Sequence, residues 1–449
     1  MGMNMGTTIK HLGVRDSHRR TVRPKRGAAA GVLLAALLLG ASACAAGDAG
    51  SAPEESGDGS CAQLGVADGW YGDNAQRLQE MIDANATCDG ATPEGGVRPM
   101  AVFDWDNTVV KNDIGDATTF WMLRNSKVLQ PAGRDWATMS DYLTDEATGR
   151  LNEVCGDLAD PGAPLPTGEK AGEDCAAEIL SVYSEGETTD KAAAYEGFDA
   201  RRIEPAYAFA AQLLEGLTPQ QVTEYVTAAK KENLDAAEGT MNEVGGTEVT
   251  GWVRIYPQIK DLITTLQDAG FDVRIVSASS QPAVRIWASE VGVDADQVTG
   301  VQTLEEGGKL TSTLASCGGD AAAMPYIEGK RCFINEQLLG IPSAQAFEPA
   351  PEAQRQVFAA GDSDTDVTFV GDATGLRLAI NRNKTELMCN AYANVDGKWI
   401  VNPMFIAPEP QQKDVYPCST SGRIETDGTQ GPLKDADGNV IPDQKDSVY

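Results

Sequence analysis

The stretch Phe103-Asp104-Trp105-Asp106-Asn107-Thr108 closes the short apolar run Met100–Phe103. Four apolar residues ending in a carboxylate read as a buried strand that meets solvent at its carboxyl end. The next run of that quality is Val273–Val276, preceded by the amphipathic segment Ile259–Ala269 and closed by Ser277. Val298–Val301, Val357–Ala360 and Leu376–Ile380 repeat the pattern, and helical spacing such as Pro282–Val291 lies between them. Strand alternating with helix predicts an α/β fold built on a doubly wound parallel sheet. Sheets of that kind bind ligands beyond the carboxyl ends of their strands, so the residues just past each run are where chemistry is expected.

Four elements stand there. Asp104-x-Asp106-x-Thr108 offers a carboxylate able to attack phosphorus and a second, two residues on, able to protonate a leaving oxygen and later activate water. Ser277 offers a hydroxyl and neighbouring amides to hold phosphoryl oxygens. A lysine is needed to offset charge on an acyl-phosphate. Gly361-Asp362-Ser363-Asp364-Thr365-Asp366 supplies hard oxygen ligands suited to Mg2+. Taken singly each pattern is common in an acid-rich chain. Together, in this order at strand ends, they specify one site.

Composition narrows the chemistry further. The 449 residues carry a net charge of -30. Beyond Cys44 the balance is 29 basic against 65 acidic residues, a field that repels nucleic acid and anionic lipid. The only histidines, His11 and His18, precede Cys44. The remaining chain therefore has no Ser-His-Asp or Cys-His nucleophile, no phosphohistidine and no His-ligated zinc.

Residues 1–43 read as a signal peptide: a basic stretch to Arg26, then the apolar run Gly27–Ala43. Leu39-Gly40-Ala41-Ser42-Ala43-Cys44 is similar to the lipobox of bacterial lipoproteins, in which the Cys is acylated; Ala41 stands where Leu is preferred, and cleavage with release is the other outcome. The chain is thus expected outside the cytoplasm, lipid-anchored at Cys44 or secreted. Residues 44–62 form a flexible tether. Eight further cysteines suggest four disulfides, and pairing of neighbours gives 61–88, 155–175, 317–332 and 389–418. Residues 63–112 and 250–395 form the catalytic core. Residues 113–249, with helical stretches at Ala117–Val128, Ala176–Tyr183, Arg201–Glu215 and Thr218–Asn233, form a mainly helical cap. Residues 396–449 form a polar extension, within which Asp435–Asn439 is a turn rather than a calcium loop.

On these motifs, across roughly residues 97–395, the chain resembles the haloacid dehalogenase (HAD) superfamily of phosphohydrolases. The resemblance implies a Rossmann-like core with Asp104 as nucleophile and Asp106 as general acid and base. It implies phosphate contacts from Ser277, Thr108 and a lysine, Lys330 in Gly329-Lys330-Arg331 or alternatively Lys309, and Mg2+ held by Asp104, the Asp106 carbonyl and Asp362 with Asp366 in support. The 32 residues between Lys330 and Asp362 imply an insertion around Pro342–Pro351. Asp106 points to phosphatase or phosphomutase chemistry, since the dehalogenases and P-type ATPases lack an acid there. The cap placed directly after the first motif resembles that of the phosphoserine phosphatase branch. Ile275–Val301 and Leu376–Asn381, followed by Arg382-Asn383-Lys384, look closest to secreted phosphorylcholine-phosphatase-like enzymes. That implies a small phosphomonoester carrying an amine. Asp113 stands where such enzymes place an acid against the amine, and it is equally placed to cap the next helix. Trp121 and Trp136 are expected either to face a quaternary ammonium or to pack inside the cap. The rival readings are a catalytically silent surface lipoprotein that binds a cationic ligand on the same scaffold, a phosphotransferase or phosphomutase, and a phosphatase of nucleotides or sugar phosphates.

Overall fold

Met100–Phe103 is buried on both faces, as expected of a central parallel strand. The computed structural model describes residues 62–87, 97–319 and 322–449. The leader, Cys44, the tether up to Cys61 and the Cys61–Cys88 pairing lie outside those residues. Six strands form one sheet: β1 Met100–Phe103, β2 Asp272–Ser280, β3 Val298–Val301, β4 Phe358–Gly361, β5 Leu376–Asn381 and β6 Trp399–Pro403. Their order is β3-β2-β1-β4-β5-β6 and every pairing is parallel. The order reverses between β1 and β4, the topological switch point at which doubly wound sheets open a crevice. Register fixes which residues meet there. Phe103 lies opposite Ala360 on one side and Ile275 on the other, so Asp104, Asp362 and Ser277 emerge close to one level.

The sheet holds one surprise. Trp399–Pro403 was expected within a polar extension from 396 onward, yet it pairs along the whole of β5 as an edge strand. The core therefore runs past 395. What remains, residues 404–449, packs back against the core through short bridges and turns, among them the Asp435 turn, whose carboxylate accepts from the N–H groups of Asp437 and Asn439 at 3.0 and 2.8 Å.

Helices cover both faces. In chain order they are α1 Asn74–Asn85, α2 Ile114–Arg124, α3 Asp145–Cys155, α4 Lys170–Glu185, α5 Pro205–Gln212, α6 Pro219–Asp235, α7 Pro257–Asp268, α8 Gln281–Ala288, α9 Glu328–Phe333, α10 Val367–Asp372 and α11 Thr385–Ala393. Between β1 and β2 the chain inserts α2 to α6, within the stretch expected as a cap. Local chemistry starts its helices: Thr144 caps α3 at Ala147 N, and Thr218 with Gln221 forms a capping box before Pro219 on α6. The cap also carries a hairpin, Met241–Val244 paired antiparallel with Thr247–Thr250. Its two-residue turn is Gly245-Gly246 with φ of 54° and 81°, which side-chain-bearing residues adopt only with strain.

The chain leaves and re-enters the core side by side, since Val110–Lys111 pairs antiparallel with Arg254–Ile255. A buried ion cluster ties the cap to the core. Arg201, 1% exposed, reaches Glu328 of α9 at 3.1 Å and Glu386 of α11 at 3.1 Å. Three of the expected disulfides are present, Cys155–Cys175, Cys317–Cys332 and Cys389–Cys418. After α9 a π-helical turn runs over Ile334–Leu338, and the stretch around Pro342–Pro351, expected as an insertion, is irregular, with short helical turns at Ser343–Gln345 and Glu352–Gln354 before β4. Among the described residues no helix is long and apolar enough to cross a membrane.

Candidate active site

The residues singled out at the strand ends converge on one buried cluster. The Asp104 amide donates to the Ala360 carbonyl at 3.0 Å, which seats the carboxylate beside β4. Lys330 Nζ lies 2.6 Å from Asp104 Oδ1 and 2.6 Å from Asp366 Oδ1. Thr108 Oγ1 stands 3.0 Å from Asp104 Oδ2 and 2.9 Å from Asp362 Oδ1. Asp366 is fully engaged: beyond Lys330 and Thr365 Oγ1, its other oxygen accepts the Asp362 and Ser363 amides at 3.0 Å each. That supports the loop rather than leaving a free ligand. Gly361 is required here by close approach, since a Cβ on it would come within 2.5 Å of the Asp366 Cβ.

Electrostatics follow from burial. Burial and then the Asp366 charge push the Asp104 carboxyl well above the usual carboxylate range, with Lys330 opposing. Burial disfavours the charged form of Lys330, but Asp104 and Asp366 outweigh it and hold the ammonium above the ordinary lysine range. The ligand oxygens of Asp104, Asp362 and Asp366 lie within 4.8 Å of one another. This is a hard, anionic, water-excluded oxygen set, and it fits Mg2+ better than any softer cation.

Asp106 faces the cap side. Its Oδ1 accepts the Ile114 amide at 2.7 Å, and its Oδ2 accepts Ser279 Oγ at 2.7 Å with Ser277 Oγ further off at 3.5 Å. Burial, then the charge of Asp113, raise its carboxyl well above the usual range. Asp113 caps α2, accepting the Asp116 amide at 3.0 Å, and burial raises its own carboxyl. Asp116, bonded to the Tyr183 hydroxyl at 2.7 Å, is pushed up to about 7 by burial and by Asp113.

The lysine position falls to Lys330; Lys309 is exposed on the hairpin edge Lys309–Leu314. The residue before its helix is strained. Ile327 holds φ 42° and ψ -101°, costly for a β-branched side chain. Its amide donates to the Thr365 carbonyl at 3.0 Å and its carbonyl accepts from Thr368 Oγ1, so the loop of Asp362 and the helix of Lys330 are built as one piece. The two tryptophans are elsewhere. Of the two alternatives, Trp136 takes the packed one, wholly buried against Phe209, while Trp121 is partly buried and packs on Tyr225.

Two residues of the cluster carried no assignment in the sequence. Ser279 lies on the same strand face as Ser277 and holds Asp106. Arg382, the first residue beyond β5, donates to Asp362 Oδ2 at 2.6 Å. The strand-end rule that singled out Asp104, Ser277 and Asp362 also singles out position 382.

The family model for haloacid dehalogenase-like hydrolases matches residues 187–370, a span that holds Ser277, Lys330, Asp362 and Asp366 and begins after Asp104. No curated protein matches the chain. Among solved structures, a conserved protein of unknown function from Anaerococcus prevotii is similar at 19% identity and a TM-score of 0.49, over 74% of this chain and 92% of that one. A protein of unknown function from Bordetella pertussis is similar at 16% identity and a TM-score of 0.40, over 68% and 98%. A phosphoserine phosphohydrolase-like protein from Francisella tularensis is similar at 12% identity and a TM-score of 0.34, over 68% and 95%.

Proposed function

We propose, from the site's geometry and from the match of residues 187–370 to the haloacid dehalogenase-like hydrolase model, a phosphatase that cleaves small phosphomonoesters through an aspartyl-phosphate on Asp104. One observation carries the reading. Asp104 and Asp362 share Thr108 while Lys330 backs Asp104, and Asp106 stands two residues on with both oxygens held.

Asp104 attacks phosphorus in line with the ester oxygen. The phosphorus–oxygen bond to the alcohol breaks, its electron pair stays on the alcohol, and Asp106 supplies the proton. Water then attacks the phosphorus of the aspartyl-phosphate and gives its proton to Asp106, and the bond to Asp104 breaks to release phosphate. Lys330 and Ser277 offset charge on the phosphoryl oxygens. Asp104, the Asp106 carbonyl and Asp362 are the residues that would hold Mg2+, with Asp366 in support. Bound there, the ion would supply charge neutralisation and alignment for phosphoryl transfer.

The substrate we favour carries an amine, such as phosphorylcholine, phosphoethanolamine or phosphoserine. The support is electrostatic: half-buried Asp113 stands beside Asp106, and half-buried Asp116 beside Asp113, on a strongly acidic protein. We place the enzyme outside the cytoplasm, attached through Cys44 or released. Its signal-like leader supports this, as do three cysteine pairs in disulfide geometry.

The test is kcat/KM for phosphorylcholine, phosphoethanolamine, phosphoserine, a sugar phosphate and a nucleotide, with Mg2+ and with chelator. Turnover is expected to vanish on chelation, return with Mg2+ and rank highest on a phosphorylated amine. Full activity in chelator would remove the metal from the mechanism, and preference for the sugar phosphate or nucleotide would remove the amine. Within this mechanism Ser279→Ala frees one oxygen of Asp106. We expect kcat to fall roughly 10-fold, a fraction of the ~100- to 10,000-fold that general acid–base catalysis contributes, with KM little changed. An unchanged kcat would mean that the Ile114 amide alone orients Asp106.

A further inference from the structure

We propose that Arg382 is a positioning residue that sets the Asp362 carboxylate for the divalent cation, as Lys330 sets that of Asp104. The proposal rests on the reading of Asp362 as a metal ligand. Each of the two carboxylates has one oxygen on a fixed cation: Asp104 Oδ1 on Lys330 at 2.6 Å, and Asp362 Oδ2 on Arg382 at 2.6 Å. The other oxygens, Asp104 Oδ2 and Asp362 Oδ1, both face Thr108 Oγ1. One hydroxyl has one proton, so it serves one of these acceptors at a time. The second keeps its lone pairs directed into the space the two acids share. Without Arg382 the Asp362 carboxylate could turn about its own bond, and that alignment would be lost. Partners that orient a ligating carboxylate in this way raise metal affinity.

The chain around Arg382 is built to hold it still. Its neighbour Asn381 donates to the Asp446 carboxylate at 3.1 Å and to the Val448 carbonyl at 2.5 Å. On the other side Asn383 donates to the Pro410 carbonyl at 3.0 Å and accepts from the Tyr416 hydroxyl at 2.8 Å. The last 46 residues, 404–449, thus hold the side chains on both sides of one arginine. An arginine suits the task because its planar guanidinium stays charged and fixes direction, where a lysine supplies only a point charge.

Calorimetric titration of MgCl2 into the chelator-treated full chain tests this directly. Arg382→Gln is expected to weaken Mg2+ binding about 10- to 100-fold, with Arg382→Lys between it and the wild type. Saturating Mg2+ should restore kcat in both variants to within about threefold of the wild type, with KM for substrate unchanged. Arg377→Gln, on β5 itself and paired with Asp396 near the surface, is the control and should bind Mg2+ as the wild type does. Three results overturn the proposal: wild-type Mg2+ affinity in Arg382→Gln, equal weakening in the Arg377 control, or a kcat lost at saturating Mg2+ while affinity is intact. If Arg382→Gln does not fold, Arg382→Lys decides by the same criterion. A wild-type chain that binds no Mg2+ would instead overturn the metal reading on which the proposal rests.

Discussion

Asp104→Asn is expected to lower kcat on an aryl phosphate by about 10,000-fold or more, since removing a covalent nucleophile leaves only binding and electrostatic assistance. The substitution is nearly isosteric, so KM should change little. Stability should hold or rise, because burial and the Asp366 charge already oppose ionisation at Asp104. Rapid acid quench supplies the discriminating measurement. The wild type should retain phosphate on the protein after a single turnover, and the variant none. A variant that still turned over at a tenth of the wild-type rate would exclude an aspartyl-phosphate on Asp104 and with it the proposed cycle.

Lys330→Met should affect the fold as well as the chemistry. The lysine side chain is fully buried and its ammonium lies 2.6 Å from both Asp104 and Asp366. Methionine fills much the same space without the charge, leaving two buried carboxylates unpaired. Breaking a buried pair in that way costs about 3–5 kcal/mol. The sign of its pH dependence is fixed. Without Lys330 the Asp104 carboxyl rises still further above its unfolded value, so it folds most readily when protonated. A group of that kind contributes stability at low pH and loses it as pH climbs through its folded value. Urea unfolding in chelator should therefore show a deficit that is small in mild acid and grows toward alkaline pH. Turnover should fall by about 100- to 1,000-fold, as for loss of one preorganised donor. An unaltered unfolding midpoint across that range would mean that Lys330 is not the counter-ion of the cluster.

How much of this was legible in the sequence depended on whether a residue's role was set by its own strand or by a neighbour's. Asp104, Ser277 and Asp362 come directly after apolar runs, and a parallel strand delivers its next residues to the ligand edge of the sheet. Lys330 was narrowed to one of two by the glycine before it. The strand-end rule reaches position 382 but not its partner, and it does not reach Ser279, because these contacts depend on register: β5 must lie beside β4 for Arg382 to reach Asp362, and the register of β2 shifts against β3 between Val276 and Ser280. β6 escaped notice because Trp399-Ile400-Val401-Asn402-Pro403 is short, comes after the Asp396-Gly397 turn and ends in proline, as edge strands do. The spacing of Trp121 and Trp136 leaves both alternatives open, because it does not tell which side of a helix will be covered; packing buries Trp136 and leaves Trp121 partly exposed against Tyr225.

The two-stranded ribbon of Val110–Lys111 and Arg254–Ile255 has a consequence for how such a protein can change. It brings the ends of the cap together before the cap contributes anything, so the core sees an insertion with clasped ends. Closing a chain of that size costs entropy that grows only logarithmically, about 0.6 kcal/mol for each doubling of length. A longer, shorter or wholly different segment could be carried between these strands at little thermodynamic cost, provided it kept a partner for Glu328 and Glu386. Under the proposed function, selection of the alcohol portion of a substrate could then drift by exchange of one module, while the cluster of Asp104, Asp106 and Asp362 stays where it is.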